Sequence, residues 1–220
     1  MVWLVIAAVA GGSYLLGAVP TGLVVGLLRG VDVRRHGSGR TGATNVLRLL
    51  GWRLAVMVLV ADVAKGAVAV LLARGLLTGY GETARLSGEV LAALAAIVGH
   101  NWSIYIKGHG GRGVTPAMGT LAVISPITLL ASLPAGVLLI LLTDMVSVGS
   151  LTGTLTALGI FLALVATGQK AALYALYGIP AAGLIVFQHR DNIWRILRGT
   201  ERRIGVRAKL LALAHPRLER

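Results

Sequence analysis

Residues 53–73 read RLAVMVLVADVAKGAVAVLLA, and that stretch decides the fold. At about 1.5 Å per helical residue it reaches about 30 Å, the depth of a bilayer's hydrocarbon. Beyond Arg53 at its edge, its charges are Asp62 and Lys65, at i and i+3, where they can neutralise one another. Working outward, six further apolar runs stand at about 2–28, 87–106, 114–131, 133–149, 150–167 and 170–188. The 220 residues are 56% apolar and 13% charged, against about 45–50% and about 25% in soluble domains. The sequence predicts an all-α polytopic membrane protein of about seven transmembrane helices, a single integral domain over 1–220. Breaks between the fourth, fifth and sixth runs are expected near 132–134 and 147–150. Six spans with one re-entrant segment is the alternative.

Charge sets the expected orientation. In the seven-span reading, segments 29–53, 107–113 and 189–220 share one side and hold 6, 2 and 9 Lys or Arg residues. The other side holds Arg74, Arg85 and Lys170. The positive-inside rule then places the N-terminus outside and the C-terminus in the cytoplasm of a bacterial inner membrane. The net charge of +13 is accounted for by attraction to anionic headgroups, so no nucleic-acid partner is expected. The basic tail, 191–220, carries Ile193, Ile196, Leu197, Ile204, Leu210 and Leu211 and is expected to lie along the inner surface. No basic residue precedes the first apolar run, so that run is expected to stay as an anchor. The chain has no cysteine, its histidines have no metal-ligand spacing, and no metal or cofactor is expected.

Three polar, glycine-rich segments interrupt the chain, all on the expected cytoplasmic face: 37–48 (GSGRTGATNVLR), 99–113 (GHNWSIYIKGHGGRG) and 189–201 (HRDNIWRILRGTE). Polar groups in hydrocarbon cost roughly 2–7 kcal/mol each unless satisfied, so their concentration implies a site. Residues 37–42 spell G-x-G-x-x-G, but they follow a membrane span instead of a strand, which excludes a dinucleotide fold. What remains is anion chemistry. Glycines such as Gly39 let backbone N–H groups approach a phosphate, Ser38, Thr41 and Thr44 add hydroxyls, Asn45 an amide, and Arg48 a planar cation. An ordinary interfacial turn is the alternative.

In the second segment Gly110, Gly111 and Gly113 surround Arg112, while Lys107 is either a second cation or a span-end side chain reaching the headgroups. His100 and Asn101 either line the site or satisfy neighbouring helices. In the third, a continuing helix would set His189 and Asn192 at i and i+3. Such a pair can deprotonate a hydroxyl and stabilise an oxyanion, or His189 can simply bond helix-end carbonyls. Asp62 and Lys65 read as a structural ion pair, and Asp144 as a partner for a loop cation.

In these residues the chain resembles the bacterial acyl-phosphate:glycerol-3-phosphate acyltransferases, integral membrane enzymes that begin phospholipid synthesis. GSGRTGATNVLR is similar to that family's first motif, which usually has Asn in place of Arg40. ADVAKG at 61–66 is similar to a segment of its second span, GHNW with GGRGV to its second motif, and HRDNIWRILRGTE to its third. The resemblance runs nearly end to end. It implies seven spans, no cofactor, and transfer of a fatty acyl group from acyl phosphate to the sn-1 hydroxyl of glycerol 3-phosphate. It also implies a functional link to the enzyme that makes acyl phosphate.

By the same resemblance Ser38 and Arg48 are required, the glycines around Arg112 bind the acceptor's phosphate, His189 and Asn192 act at the reacting centre, and Glu201 supports the architecture. The chain departs from the family's second motif at Gly108, His109, Thr115 and Pro116, and in having Arg for Lys at 112. Those departures leave another phosphorylated acceptor open. A small anion transporter using Asp62, Lys65 and Asp144 is the non-enzymatic alternative.

Overall fold

The computed structural model describes residues 1–205, and all regular structure among them is helical. The end of the expected amphipathic tail, with Leu210 and Leu211, lies outside the described residues.

The first span is broken. Helix α1 covers Val2–Ala18 and α2 covers Thr21–Leu27, separated by Val19 and Pro20. Irregular backbone at membrane depth must be satisfied by protein groups, and Asp62 and Lys65 supply them. Lys65 Nζ lies 2.8 Å from Asp62 Oδ1 and donates to the Val19 carbonyl at 3.1 Å, while Thr21 Oγ1 donates to Asp62. The intramembrane pair is thus a patch on the break.

Helix α3, Ala43–Leu50, is short and amphipathic and packs its buried Val46 against Val58 and Ala55 of α4, Trp52–Leu77. Helix α5, Glu82–Asn101, runs back beside α1 and α4. Small residues let these backbones close up, as membrane helix packing favours. A Cβ on Gly17 would strike the Ala96 carbonyl, and one on Gly99 the Tyr14 carbonyl.

Helix α6, Val114–Ile124, lies along α4 so closely that a Cβ on Gly66 would strike the Pro116 carbonyl, and one on Gly119 the Val63 carbonyl. Its start is therefore level with Asp62, which at about 1.5 Å per residue is about 15 Å along α4 from Trp52. The two ends of the second polar segment, His100 beside Asp62 and the start of α6, are recessed well below the end of α4, while Ile104, Tyr105 and 107–109 between them are exposed.

Helices α7, Pro126–Thr143, and α8, Val146–Ala166, form a hairpin, followed by α9, Ala175–Gln188, and α10, Arg190–Leu197. The breaks differ from those expected at 132–134 and 147–150. Ser125 precedes Pro126 and leaves the helical region (φ −152°), and Pro126 then opens α7, the position where a missing N–H costs nothing. Pro134 is carried inside α7, as membrane helices tolerate. Asp144, left-handed at φ 62°, makes the second turn, and its carboxylate accepts from Gly205 N at 3.0 Å.

By length and composition, five described helical stretches can cross a bilayer, and six if α9 and α10, bent by 56°, count as one span. That is fewer than the seven expected. α6, with 11 residues, is too short to count alone. Exposed leucines such as Leu71, Leu130 and Leu142 give these helices their outward apolar faces.

At the pole away from the three polar segments, Glu89 is fully buried and accepts from Arg74 at 2.9 Å, Arg85 at 2.7 Å and the Tyr174 hydroxyl at 2.7 Å. Lys170 there donates to the Ile124 carbonyl at 2.8 Å. The core between the poles includes Val70, Ile97, Phe161, Tyr177 and Ile185.

Candidate active site

The first segment is organised by Asn45, which is 2% exposed. Its Nδ2 donates to the carbonyls of Val33 (2.9 Å), His36 (3.2 Å) and Arg40 (2.9 Å), and its Oδ1 accepts from Ser38 N at 2.9 Å. One amide side chain thus ties a loop of backbone polar groups together. Its hydrogen bonds are committed, so Asn45 shapes the loop more than it serves as a ligand donor. Arg48, one turn further along α3, is half-buried; one terminal nitrogen reaches the Arg202 carbonyl at 3.5 Å, and its buried Nε has no protein partner.

The second segment is held by His100 at the end of α5. Gly111 N donates to the His100 carbonyl at 3.0 Å, and the His100 ring fills the space where a side chain on Gly111 would stand. His100 Nδ1 is in turn 3.7 Å from Asp62. Gly113, at φ 83°, makes the left-handed turn into α6. Arg112 is thereby presented inward with its Nε buried and unpartnered. Burial, with Arg40 adding repulsion, pushes its guanidinium down to about 10. Such a cation gains more than most from an arriving anion.

In the third segment the expected continuous helix is bent at His189. The backbone still bonds Ile193 N to the His189 carbonyl at 2.8 Å, so His189 and Asn192 stay one turn apart across the bend. His189 is 2% exposed, and its Nδ1 lies 2.8 Å from the Ile185 carbonyl. A carbonyl only accepts, so Nδ1 carries the hydrogen and the neutral ring keeps its lone pair on Nε2. Glu201 joins the elements: it accepts from Asn192 Nδ2 at 2.6 Å, Ser147 Oγ at 2.8 Å and Arg195 Nε at 2.8 Å. Burial raises the Glu201 pKa, but the bonds from Asn192, Ser147 and Arg195 outweigh it and hold the carboxyl below its ordinary value.

These segments meet at one end of a cavity of about 370 Å³. Ser38, Asn45, Gly111, Arg112, Gly113 and His189 line it. Gly39, Thr41, Arg48, Gly110 and Asn192 are not in its lining. Gly110 instead packs on the His100 and Asn101 carbonyls, and Thr41 is buried with its carbonyl against Gly22 of α2. Ser147 and Arg40 are among the lining residues the sequence does not single out. Ser147 falls at an expected span boundary, and a serine in an apolar run is too common to mark a site. Arg40 lines the mouth and pairs loosely with Asp191 at 3.8 Å. The buried polar atoms without a partner gather at this pole: Arg48 Nε, Arg112 Nε, Asn101, Gln188 Nε2 and Asn192 Oδ1, among the described residues. Such orphans are what a polar ligand satisfies. The cavity then continues away from them between α7, α8 and α9, lined by Leu133, Ile140, Ala157, Phe161 and Tyr177. A polar head joined to an apolar body fits an amphiphile.

Known proteins point the same way. Residues 6–199 match the model of a family described as glycerol-3-phosphate acyltransferase. A glycerol-3-phosphate acyltransferase of Thermus thermophilus is 43% identical over 197 residues, covering 90% of this chain and 94% of that protein. One from Thermoanaerobacter is 38% identical over 199 residues, covering 90% and 95%. The crystal structure of PlsY, an integral membrane glycerol 3-phosphate acyltransferase in its glycerol 3-phosphate form, aligns with a TM-score of 0.81 at 33% identity, covering 93% of this chain and 98% of that one. Its lysophosphatidic acid form aligns at 0.78. With the three segments meeting at one polar pocket, this chain belongs to the glycerol-3-phosphate acyltransferase family.

Proposed function

We propose that the protein transfers a fatty acyl group from acyl phosphate to the sn-1 hydroxyl of glycerol 3-phosphate, releasing lysophosphatidate and inorganic phosphate. The observation that carries this reading is the joining of a cationic, orphan-rich pocket to an apolar cavity under His189. The relatives are named for glycerol 3-phosphate, and the PlsY structures hold it and lysophosphatidic acid.

The acyl phosphate is already activated, so holding two anions and a hydroxyl in line is the main task. Such positioning is worth roughly 7–11 kcal/mol of barrier. His189 Nε2 takes the proton of the sn-1 hydroxyl, whose oxygen attacks the acyl carbonyl carbon. The carbonyl-carbon bond to the phosphate oxygen breaks, and phosphate leaves. The second hydrogen of Asn192 Nδ2, beyond the one given to Glu201, serves the oxyanion. Arg112, with Gly113 beside it in the lining and Gly110 and Gly111 packing the turn onto His100, holds the acceptor's phosphate, and Ser38 and Arg48 the other. The chain lies in the apolar cavity and enters sideways from the bilayer, since the lining residue Val137 is 50% exposed on the outer side of α7. A cavity that ends at aromatic side chains supports this reading over an anion path.

The test is purified protein with acyl phosphate and glycerol 3-phosphate, acyl-CoA being the contrasting donor. Lysophosphatidate forms only with acyl phosphate; formation only with acyl-CoA overturns the donor. Arg112→Ala raises the KM for glycerol 3-phosphate about 10–100-fold, the value of one charge-assisted bond; an unchanged KM removes Arg112 from that role.

We further propose seven spans with the site facing the cytoplasm of the inner membrane, α6 completing its crossing through the recessed segment before it. The supply of acyl phosphate by its own synthetic enzyme fits that face. Because the chain lacks cysteine, single variants Arg29→Cys and Gln169→Cys report sidedness directly. In intact cells a membrane-impermeant thiol reagent labels position 169 and spares 29; the reverse result inverts the topology.

A further inference from the structure

The apolar cavity has an end, and that end is built. On α8 the lining residues recur as Val146, Ser150, Gly153, Ala157 and Phe161, and on α9 as His189, Ile185, Ala181 and Tyr177. Spacings of three and four place each set on one helix face, and the two faces run from the reacting centre to the same pair of rings. Phe161 is 1% and Tyr177 2% exposed, and their centroids stand 5.8 Å apart, edge to face at 81°. The small residues above them, Ala157, Gly153, Ala181 and Gly178, leave the cavity open; these two rings close it.

Both rings are fixed from behind. The Tyr177 hydroxyl shares a 2.6 Å hydrogen bond with Thr120 Oγ1, which also donates to the Ala117 carbonyl. Phe161 packs edge-on against Tyr174, at 6.4 Å and 65°. Tyr174 donates to Glu89, which Arg74 and Arg85 clamp. Neither neighbouring ring turns away cheaply, because each hydroxyl would lose a buried partner. The charged cluster at the far pole lies outside the cavity lining and backs these rings through Tyr174.

We propose that Phe161 and Tyr177 are the end-stop that sets which acyl chain lengths the enzyme uses, held in place through Thr120 and through Tyr174 and Glu89. This rests on the acyl-phosphate reading given above. At about 1.5 Å rise per residue, the stretch from His189 to Tyr177 measures about 18 Å, enough for an extended chain of roughly fourteen carbons. A lipid-dissolved chain gains little by entering an apolar cavity, so selection comes from fit. A chain too long must displace packed rings, and one too short leaves a gap.

The test is kcat/KM for acyl phosphates of 12, 14, 16, 18 and 20 carbons with the wild type, Phe161→Ala and Ala181→Leu in lipid nanodiscs. Phe161→Ala extends the profile toward longer chains, and Ala181→Leu, which adds bulk one turn above Tyr177, contracts it. Each shifts the ratio of two donors four methylenes apart by about tenfold or more, in opposite directions. The KM for glycerol 3-phosphate stays within about twofold, a split that general destabilisation of the fold would not produce. Should Phe161→Ala fold poorly, Phe161→Leu and Ala181→Leu carry the same comparison. Identical profiles in all variants, or shifts in one direction, overturn the end-stop. If no acyl phosphate of any length reacts, the donor assignment has failed instead. Thermal protection by lysophosphatidates of the same lengths then reads the wall without turnover, and protection indifferent to length in the wild type refutes it.

Discussion

His189→Ala is expected to lower kcat by about 10²–10⁴-fold, the usual worth of a positioned general base, while lysophosphatidate still protects the protein against heat. The argument runs through the ring's tautomer. The 2.8 Å contact from Nδ1 to the Ile185 carbonyl anchors the imidazole to α9 and leaves Nε2 as the basic atom. Because the contact comes from within α9, the ring's orientation does not depend on substrate. His189→Gln, which can reproduce a donor but not the base, should be as slow as alanine. Turnover within about fivefold of wild type in either variant would move the proton to another acceptor, such as a phosphate oxygen of the substrate.

Glu201→Ala is expected to be the most damaging substitution to the fold of the site. It strips a shared acceptor from Ser147, Asn192 and Arg195 at once and strands a partly buried guanidinium. Breaking a buried charge pair this way costs about 3–5 kcal/mol. Loss of thermal stability and of activity should therefore appear together. Glu201→Gln keeps an oxygen for Asn192 and Ser147, and should recover only the part of the stability those two bonds carry, since Arg195 stays unpaired. A stable but inactive Glu201→Ala protein would mean instead that the carboxylate acts on substrate. Either outcome is read by unfolding in detergent alongside the acyl-transfer assay.

The sequence announced the membrane, the three segments and their common face because each rests on a local property: apolar length, glycine with arginine, and loop charge. It could not show how those segments use their residues. Asn45 has the composition of a phosphate ligand, and only its distances to Val33, His36 and Arg40 reveal it as the knot of the loop. The pairing of Asp62 with Lys65 was readable from i, i+3 spacing, whereas their service to the broken first span depends on Val19 and Thr21, more than forty residues away. Helix breaks in the α6–α8 region fall elsewhere than 132–134 and 147–150 because Pro134 is carried inside α7. The true stop, Ser125 before Pro126, works through the conformation of the preceding residue. Ser147 and the Phe161–Tyr177 wall left no local signature, since a serine or an aromatic in an apolar run is ordinary until its neighbours are known.

The sunken start of α6 has one more consequence. An acyl phosphate is prone to attack by water, and every encounter with solvent squanders the activated donor. By starting α6 about ten residues down α4, about 15 Å in helical rise, the fold sets Arg112, two residues before that start, inside the polar mouth; on the proposed reaction, a donor held there would meet the acceptor's hydroxyl with less water around it. On that reading the depth of the α6 start would favour making lipid over idle hydrolysis.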